Sequence, residues 1–530
     1  MYCGTPRLRR SIIGFLEGVG KLRRFLVVCA LLVLVTICVS TAPREAAASR
    51  IIASTDHLPL GDWTYDALIR LAADGLVPGH SARVFQGDRL FDRMDMARVV
   101  ASIVKSSEET ELAPAQVVLI DGLVSEFGPE LAIVDQGVAQ RWSERSENIA
   151  LPMGGEAFLL GYVKGTVADD TDGDESSSSA AYRVSSFLHI SSHAFAMATA
   201  ADNEEKFFQE FRDSPVPDKA FIRGFDRNLV WSIGREYLSW GPAYTGSLIL
   251  SDNSPAFMQA RAAKEMDFGS FFGRVKITQF ASTFEDEGKH LYLFGRRYER
   301  PLSRRWHLGI SETAKTSFTP NPLILVMPFY LYQHIFNEKD EEFNALYAAD
   351  LSYRTSNGSR IYGELLIDDI TAPRIFGHRF ERPRKIGYTL GFYVPNVFGG
   401  DRLSTLRAEY IYVDRLTYEA TRPTIAPELA YTHDGSIVGH PIGPNAKALY
   451  LRGEQSLSDK LSLIAEYLDQ RQTDPGAPER GRSKFLSLMA AYDIATDKSI
   501  ALRVTPYEIV PPGGPAQDGT KYEIRALFAF

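Results

Sequence analysis

Lys521-Tyr522-Glu523-Ile524-Arg525-Ala526-Leu527-Phe528-Ala529-Phe530 is the stretch that decides the fold. Tyr522, Ile524, Ala526, Phe528 and Phe530 fall on one face of an extended chain and Lys521, Glu523 and Arg525 on the other, because side chains alternate with a period of two in a strand. Working back from it, the same alternation recurs. Val275 and Ile277 sit between Arg274, Lys276 and Thr278; Tyr347, Ala349, Leu351 and Tyr353 alternate with Asp350, Ser352 and Arg354; Leu406, Ala408 and Tyr410 flank Arg407 and Glu409. A soluble sandwich would also alternate, so this pattern predicts strands without choosing their architecture.

The connections choose it. Short turns at 301–305, 356–359 (with Asn357-Gly358), 399–401, 458–460 and 496–498 alternate with long polar connections at 317–342, 370–383, 416–445, 472–483 and 509–520. A closed up-and-down barrel in an outer membrane has this asymmetry, with tight periplasmic turns and longer loops outside. Closure follows because lipid cannot satisfy an open sheet edge. The final amphipathic strand ending in Phe530 resembles the recognition signal of bacterial outer-membrane barrels. The predicted fold is therefore mainly β, a transmembrane antiparallel barrel over 156–530. The strand number is 16 or 18, depending on whether 181–200 and 219–236 are long single strands or hairpins.

Ahead of the barrel three segments are expected. Residues 1–48 have the layout of an export signal: Arg7, Arg9, Arg10, Lys21, Arg23 and Arg24 precede an apolar stretch from Phe25 to Val39, then Ala46-Ala47-Ala48. That stretch is shorter than the roughly 20 residues a spanning helix needs. Cys3, Cys29 and Cys38 all lie within residues 1–48, so cleavage leaves no thiol for disulfides, metal sites or nucleophilic catalysis. The whole chain carries a formal charge of -8, and the basic leader makes the remainder more acidic still, which argues against a nucleic-acid partner. Residues 49–110 read as a helical domain, with Trp63, Leu68, Leu71 and Ala72 on one helix face and Met96, Val99, Val100 and Ile103 on another. Residues 111–155 read as a helical linker. The helical domain resembles an S-layer-homology module. Asp92-Arg93-Met94-Asp95 stands where that family has its wall-gripping stretch, which makes Trp63, Arg93 and Asp95 candidates for binding peptidoglycan or another wall polymer.

Three loop motifs stand out: Gly234-Arg235-Glu236-Tyr237-Leu238-Ser239-Trp240-Gly241-Pro242 running on to Ser251-Asp252-Asn253; Asn321-Pro322 leading to Pro328-Phe329-Tyr330; and Tyr431-Thr432-His433-Asp434-Gly435. With Gly363-Glu364-Leu365-Leu366-Ile367-Asp368-Asp369 they make residues 150–530 resemble the capsule-assembly, Wzi-type, family of outer-membrane proteins. The resemblance implies non-catalytic binding of capsular or surface polysaccharide. Alternatives are a porin-like channel, or an envelope tether gripping the wall through the helical domain.

Topology places these motifs at the extracellular mouth. Sugars need flat aromatic faces and many donors and acceptors. Trp240, Tyr244, Tyr330, Tyr431, Asp252, Asn253, His433 and Asp434 supply both, and Arg235 supplies a cation for an acidic glycan. Glu364 with Asp368 and Asp369 could suggest paired carboxylates for glycoside chemistry, but charge is the default content of such a lumen. The scattered histidines form no metal or Ser-His site. No phosphate loop or dinucleotide fingerprint occurs, so no cofactor is expected. The run Asp169–Ser179 lacks the spacing of a calcium loop.

Overall fold

The computed structural model describes residues 54 and 56–530 except 147–148, 150–156, 172–176, 192–193, 203–218, 227–228, 270–272, 287–288, 319–331, 333–342, 369–384, 401, 420–426, 473–480 and 512–513. The expected export signal lies outside them, as does Tyr330.

Eighteen strands make one sheet in which every neighbouring pair is antiparallel. They are β1 Ala157–Asp170, β2 Ser177–Ser191, β3 Ala194–Asp202, β4 Lys219–Asp226, β5 Leu229–Glu236, β6 Phe257–Asp267, β7 Arg274–Asp286, β8 Lys289–Pro301 and β9 Trp306–Thr316. The second half comprises β10 Phe343–Arg354, β11 Arg360–Asp368, β12 Ile386–Pro395, β13 Ser404–Val413, β14 Ala446–Ser456, β15 Leu461–Gln472, β16 Gly481–Ala495, β17 Lys498–Val510 and β18 Gln517–Ala529. The sheet closes where β18 pairs with β1, from Tyr162↔Ala529 to Asp170↔Lys521. Both doubtful segments are hairpins, with Ser191 opposite Ala194 and Asp226 opposite Leu229, which makes the number 18 and not 16.

Short connections (192–193, 227–228, 268–273, 302–305, 355–359, 396–403, 457–460 and 496–497) share one end of the barrel with both ends of the sheet. The other end carries the long ones, 203–218, 237–256, 317–342, 369–385, 414–445 and 473–480, together with the short 171–176, 287–288 and 511–516. Short turns mark the periplasmic side of such barrels. The outer face is apolar over most of the circumference: Leu159, Val163, Ile361, Leu390, Leu488, Leu502, Ile524 and Phe528 are all exposed, as contact with lipid requires.

The helices form one body. Helix α1 (Trp63–Ala73) starts at Asp62, whose carboxylate accepts from the Thr64 amide at 3.0 Å, and is followed by Gly75 with φ 78°. Helix α2 (Arg93–Ser107) starts at Asp92, which accepts from the Asp95 amide at 2.6 Å. Such caps satisfy amides that a helix's first turn leaves without partners. Helices α3 (Pro114–Glu126), α4 (Gly128–Val134) and α5 (Val138–Ser146) share one apolar core with α1 and α2, so the described part of 111–155 packs with 49–110 and does not trail as a linker.

This body sits in the end of the lumen that carries the short turns. The Ala82 amide donates to the Thr496 carbonyl at 2.9 Å and Arg83 pairs with Asp493 at 3.0 Å, both at the periplasmic turn between β16 and β17. Deeper in, Trp63 packs on Phe195 of the wall with ring centroids 4.6 Å apart. Four carboxylates of the helical body meet cations of the wall. Asp56 meets Arg297 at 2.7 Å, Asp66 meets Arg183 at 3.2 Å and also Lys219, Asp92 meets Arg354 at 2.9 Å and also Arg360, and Glu126 meets Arg223 at 2.9 Å.

Candidate functional site

The β5–β6 connection, residues 237–256, turns into the lumen from the extracellular end. Its backbone amides find acceptors on the wall. Glu364 of β11 accepts from the Ala243 amide at 3.1 Å and the Leu248 amide at 2.9 Å. Glu409 of β13 accepts from the Tyr244 amide at 2.6 Å, the Thr245 amide at 2.9 Å, the Thr245 hydroxyl at 2.6 Å and the Tyr362 hydroxyl at 2.7 Å. A glycine is needed at 241, where φ is 143° and a Cβ would strike the Glu364 carboxylate. Buried amides must be paired, and two wall carboxylates pair several at once.

The β13–β14 connection, 414–445, folds over this segment. The Tyr431 hydroxyl donates to the Ile249 carbonyl at 2.8 Å, the Ser251 amide to the Val438 carbonyl at 2.9 Å, and the Asn253 side-chain amide to the Ile437 carbonyl at 2.8 Å. Lys315 of β9 donates to the Ala430 and Thr432 carbonyls at 2.7 and 2.8 Å. Asp368 accepts from the Tyr418 amide at 2.7 Å. Burial pushes the phenols of Tyr244, Tyr418 and Tyr431 above their ordinary range, so they stay protonated donors.

The predicted site residues fall into three groups. Trp240, Tyr244, Asp252, Asn253, Tyr431 and His433 are brought together but buried, none more than 5% exposed. Trp240 packs against Phe280 at 5.3 Å, Tyr244 lies under the Arg407 guanidinium at 3.9 Å, and Asp252 accepts from the Leu60 amide at 2.9 Å, which joins the loop to the helical body. As placed, these side chains build the floor of the mouth. Asp434 is open, its side chain 54% exposed. Arg235 stands apart, half-buried on β5, one residue from Glu236, which faces the lumen and pairs with Arg223 at 2.9 Å. Tyr332, two residues beyond Tyr330, meets β8 and β9: Arg296 lies over its ring at 4.2 Å and its amide donates to Glu312.

The wall-binding candidates are engaged internally. Trp63 is 1% exposed. Arg93 pairs with Glu126 at 2.8 Å and Glu130 at 2.9 Å, while Asp95 pairs with Arg98. Glu364 and Asp368, the carboxylates that could have suggested acid–base chemistry, serve as backbone acceptors; Asp369 lies outside the described residues. Among the described residues no group of three or more His, Cys, Asp or Glu could hold a metal ion. A cavity of about 380 Å³ remains between the helical body and strands β5–β8 on the periplasmic side. Its charges pair with one another, Lys276 with Glu299 at 3.3 Å and Arg274 with Glu265 at 3.6 Å.

What sequence reasoning missed is that the most distinctive loop folds inward. A signal was available: from Tyr237 to Ala256 the only charged residue is Asp252, which is poor composition for a loop standing in water.

Comparison with known proteins agrees with this architecture. The Escherichia coli protein Wzi, described as an outer-membrane carbohydrate-binding β-barrel involved in group 1 capsule assembly, superposes with a TM-score of 0.50 at 13% identity, covering 87% of this chain and 97% of that one. Pseudomonas aeruginosa OpdL and OprD match with TM-scores of 0.41 and 0.40 at 10% and 11% identity, each over 71% of this chain and over 99% and 95% of their own. No curated protein matches in sequence. The family model described as capsule assembly protein Wzi matches residues 177–508, from the second strand to the seventeenth, and the chain therefore belongs to the Wzi capsule-assembly family.

Proposed function

We propose that this barrel holds capsular polysaccharide at the cell surface, or assists its assembly there, by non-catalytic contact at the extracellular mouth. The observation that carries the reading is the filled lumen. The helical body occupies one half through four sets of ion pairs, and two inward connections narrow the other half from the β6–β13 side. A barrel so obstructed is a poor conduit and a rigid base for a ligand held at its rim. Membership of the Wzi family and the description of Wzi itself as carbohydrate-binding supply the ligand class.

The roles within this reading divide by exposure. Trp240, Tyr244, Asp252, Asn253, Tyr431 and His433 act indirectly, by fixing the floor, and Asp434 is open to ligand. Catalysis has little support, because Glu364, Glu409 and Asp368 are committed to backbone amides. For the helical body, a closing role at the periplasmic face fits better than a grip on cell wall, since Trp63 and Arg93 are spent inside. Outer-membrane lipid is the partner of the exposed apolar belt.

Deletion of the gene, with cell-bound and released polysaccharide measured separately, tests the attachment reading: the released share should rise at constant total, and an unchanged partition rejects it. Two further measurements address the alternatives. The purified protein should show little conductance in planar bilayers, against the porin reading, and should not co-sediment with purified peptidoglycan, against the tether.

A further inference from the structure

The inward connections fold beside β6–β13; across the barrel, at the outer ends of β15–β18 and β1, several inward-facing side chains are partly exposed. Side chains here alternate between lumen and lipid. On β16 Ser487 and Met489 are buried while Leu486 and Leu488 are exposed to lipid; on β17 Arg503 and Thr505 are buried while Leu502 is exposed. Phe485 and Tyr507 continue the inward-facing rows to the mouth, stand opposite each other in register, and are both half-exposed. Their ring centroids are 6.4 Å apart.

The Tyr507 ring lies across the neighbouring strand. Its partner in register on β18 is Gly519, and a Cβ at 519 would come within 2.5 Å of the phenol oxygen and 2.7 Å of the ring. Glycine at this position lets the ring lie against the backbone of the neighbouring strand while the side chain stays partly exposed. The phenol reaches on to β1, donating to Asp170 at 3.0 Å. Half-exposed Gln470 on β15 and Lys521 on β18 face the lumen on either flank.

From this arrangement we infer that Phe485 and Tyr507 form a saccharide-binding platform at the extracellular mouth, with Asp170, Gln470 and Lys521 as the polar groups that hold sugar hydroxyls. The inference rests on the attachment reading and supplies it with a contact surface. A pyranose ring offers an apolar C–H face that packs on a fixed aromatic face, and hydroxyls at its edge that need both donors and acceptors. Two adjacent rings suit consecutive sugars of a chain. Tyr507 is held at its ring by Gly519 and at its hydroxyl by Asp170, so little side-chain freedom is lost on binding.

The test is titration of the full-length protein in detergent with end-labelled polysaccharide purified from the surface of the producing bacterium. Phe485→Ala and Tyr507→Ala should each weaken binding about tenfold, and Tyr507→Phe, which keeps the ring and loses the tether to Asp170, about threefold. Binding should persist in high salt, because an apolar grip is not screened. Ser483→Trp, opposite Gln470, should obstruct the platform without removing either ring, and covers the case of an alanine variant that does not fold, as judged by heat-modifiable mobility. Tyr492→Ala, on the lipid-facing side, should change nothing. Wild-type binding that survives Phe485→Ala, Tyr507→Ala and Ser483→Trp within twofold overturns the platform and leaves attachment standing. A wild type that binds no polysaccharide overturns both.

Discussion

The two ends of this barrel are stopped by opposite chemistry. At the end with the short turns the stopper brings mostly acids and the wall mostly bases: Asp56, Asp66, Asp92 and Glu126 enter an array of Arg297, Arg183, Lys219, Arg360, Arg354 and Arg223, with Arg83 and Asp493 as a reversed pair. At the extracellular end the wall brings the acids, Glu364 and Glu409, and the stopper brings neutral backbone amides. The lesson concerns what a deletion leaves behind. Removing an acid from the helical body strands a full positive charge in the wall, which is costly. Removing an acid from the wall strands N–H groups, which costs less for each group and is relieved wherever water enters.

Asp92→Ala should have the largest effect. It leaves Arg360, 2% exposed, with only the more distant Asp95 carboxylate at 3.8 Å and strips the cap of α2, for a loss of about 4 kcal/mol. Denaturant unfolding and protease release of the helical body would measure it, and a loss under about 1 kcal/mol would break the comparison. Glu409→Ala comes next. Four donors lose their acceptor, and a loss of about 3 kcal/mol is expected, accompanied by a rise in bilayer conductance as the inward loop loosens.

A pH series sharpens the contrast. Burial raises the Asp56 carboxyl to about 7, Arg297 opposes the shift, and Glu299 and Asp350 add to it. The folded state thus keeps a proton that the unfolded chain has released. This group's contribution to stability is full below about pH 4 and falls as pH rises towards 7. His57 runs the other way: burial, with Arg360 and Arg407 nearby, holds its imidazole well below 6.5, so its contribution is lost as pH falls below that value. Asp56→Asn should remove the decline between pH 4 and 7 and leave the His57 limb intact, as read from protease release against pH. The smallest effect should come from the rim: Lys484→Ala removes a solvent-screened pair with Glu508, and the denaturation midpoint should not move measurably.

The wall was legible because it obeys a local rule. Leu406 to Tyr412 alternates, and the structure pairs it as β13 with alternate side chains inside. The uncertainty between 16 and 18 strands came from turns at Ser192-His193 and Arg227-Asn228, which lack the Asn-Gly or Asp-Gly signature of a two-residue hairpin. The mouth was harder to read. Whether a loop stands up or folds down is set by partners far along the chain, as Tyr244 is by Glu409, and no local period records that. Asp92 shows the same limit in the helical body. Its role as a helix cap is a local signal, whereas its pairing with Arg360 across 268 residues is not.

The seam between β1 and β18 joins the first and last strands of the sheet. It is the one pairing that has to wait until every other strand has been laid down. The helical body precedes β1 and is synthesised earlier still, yet it ends enclosed by the finished cylinder. Biogenesis therefore resembles building a bottle around its stopper: the outcome depends on which is ready first, and a helical body that matures late has only the periplasmic opening through which to arrive.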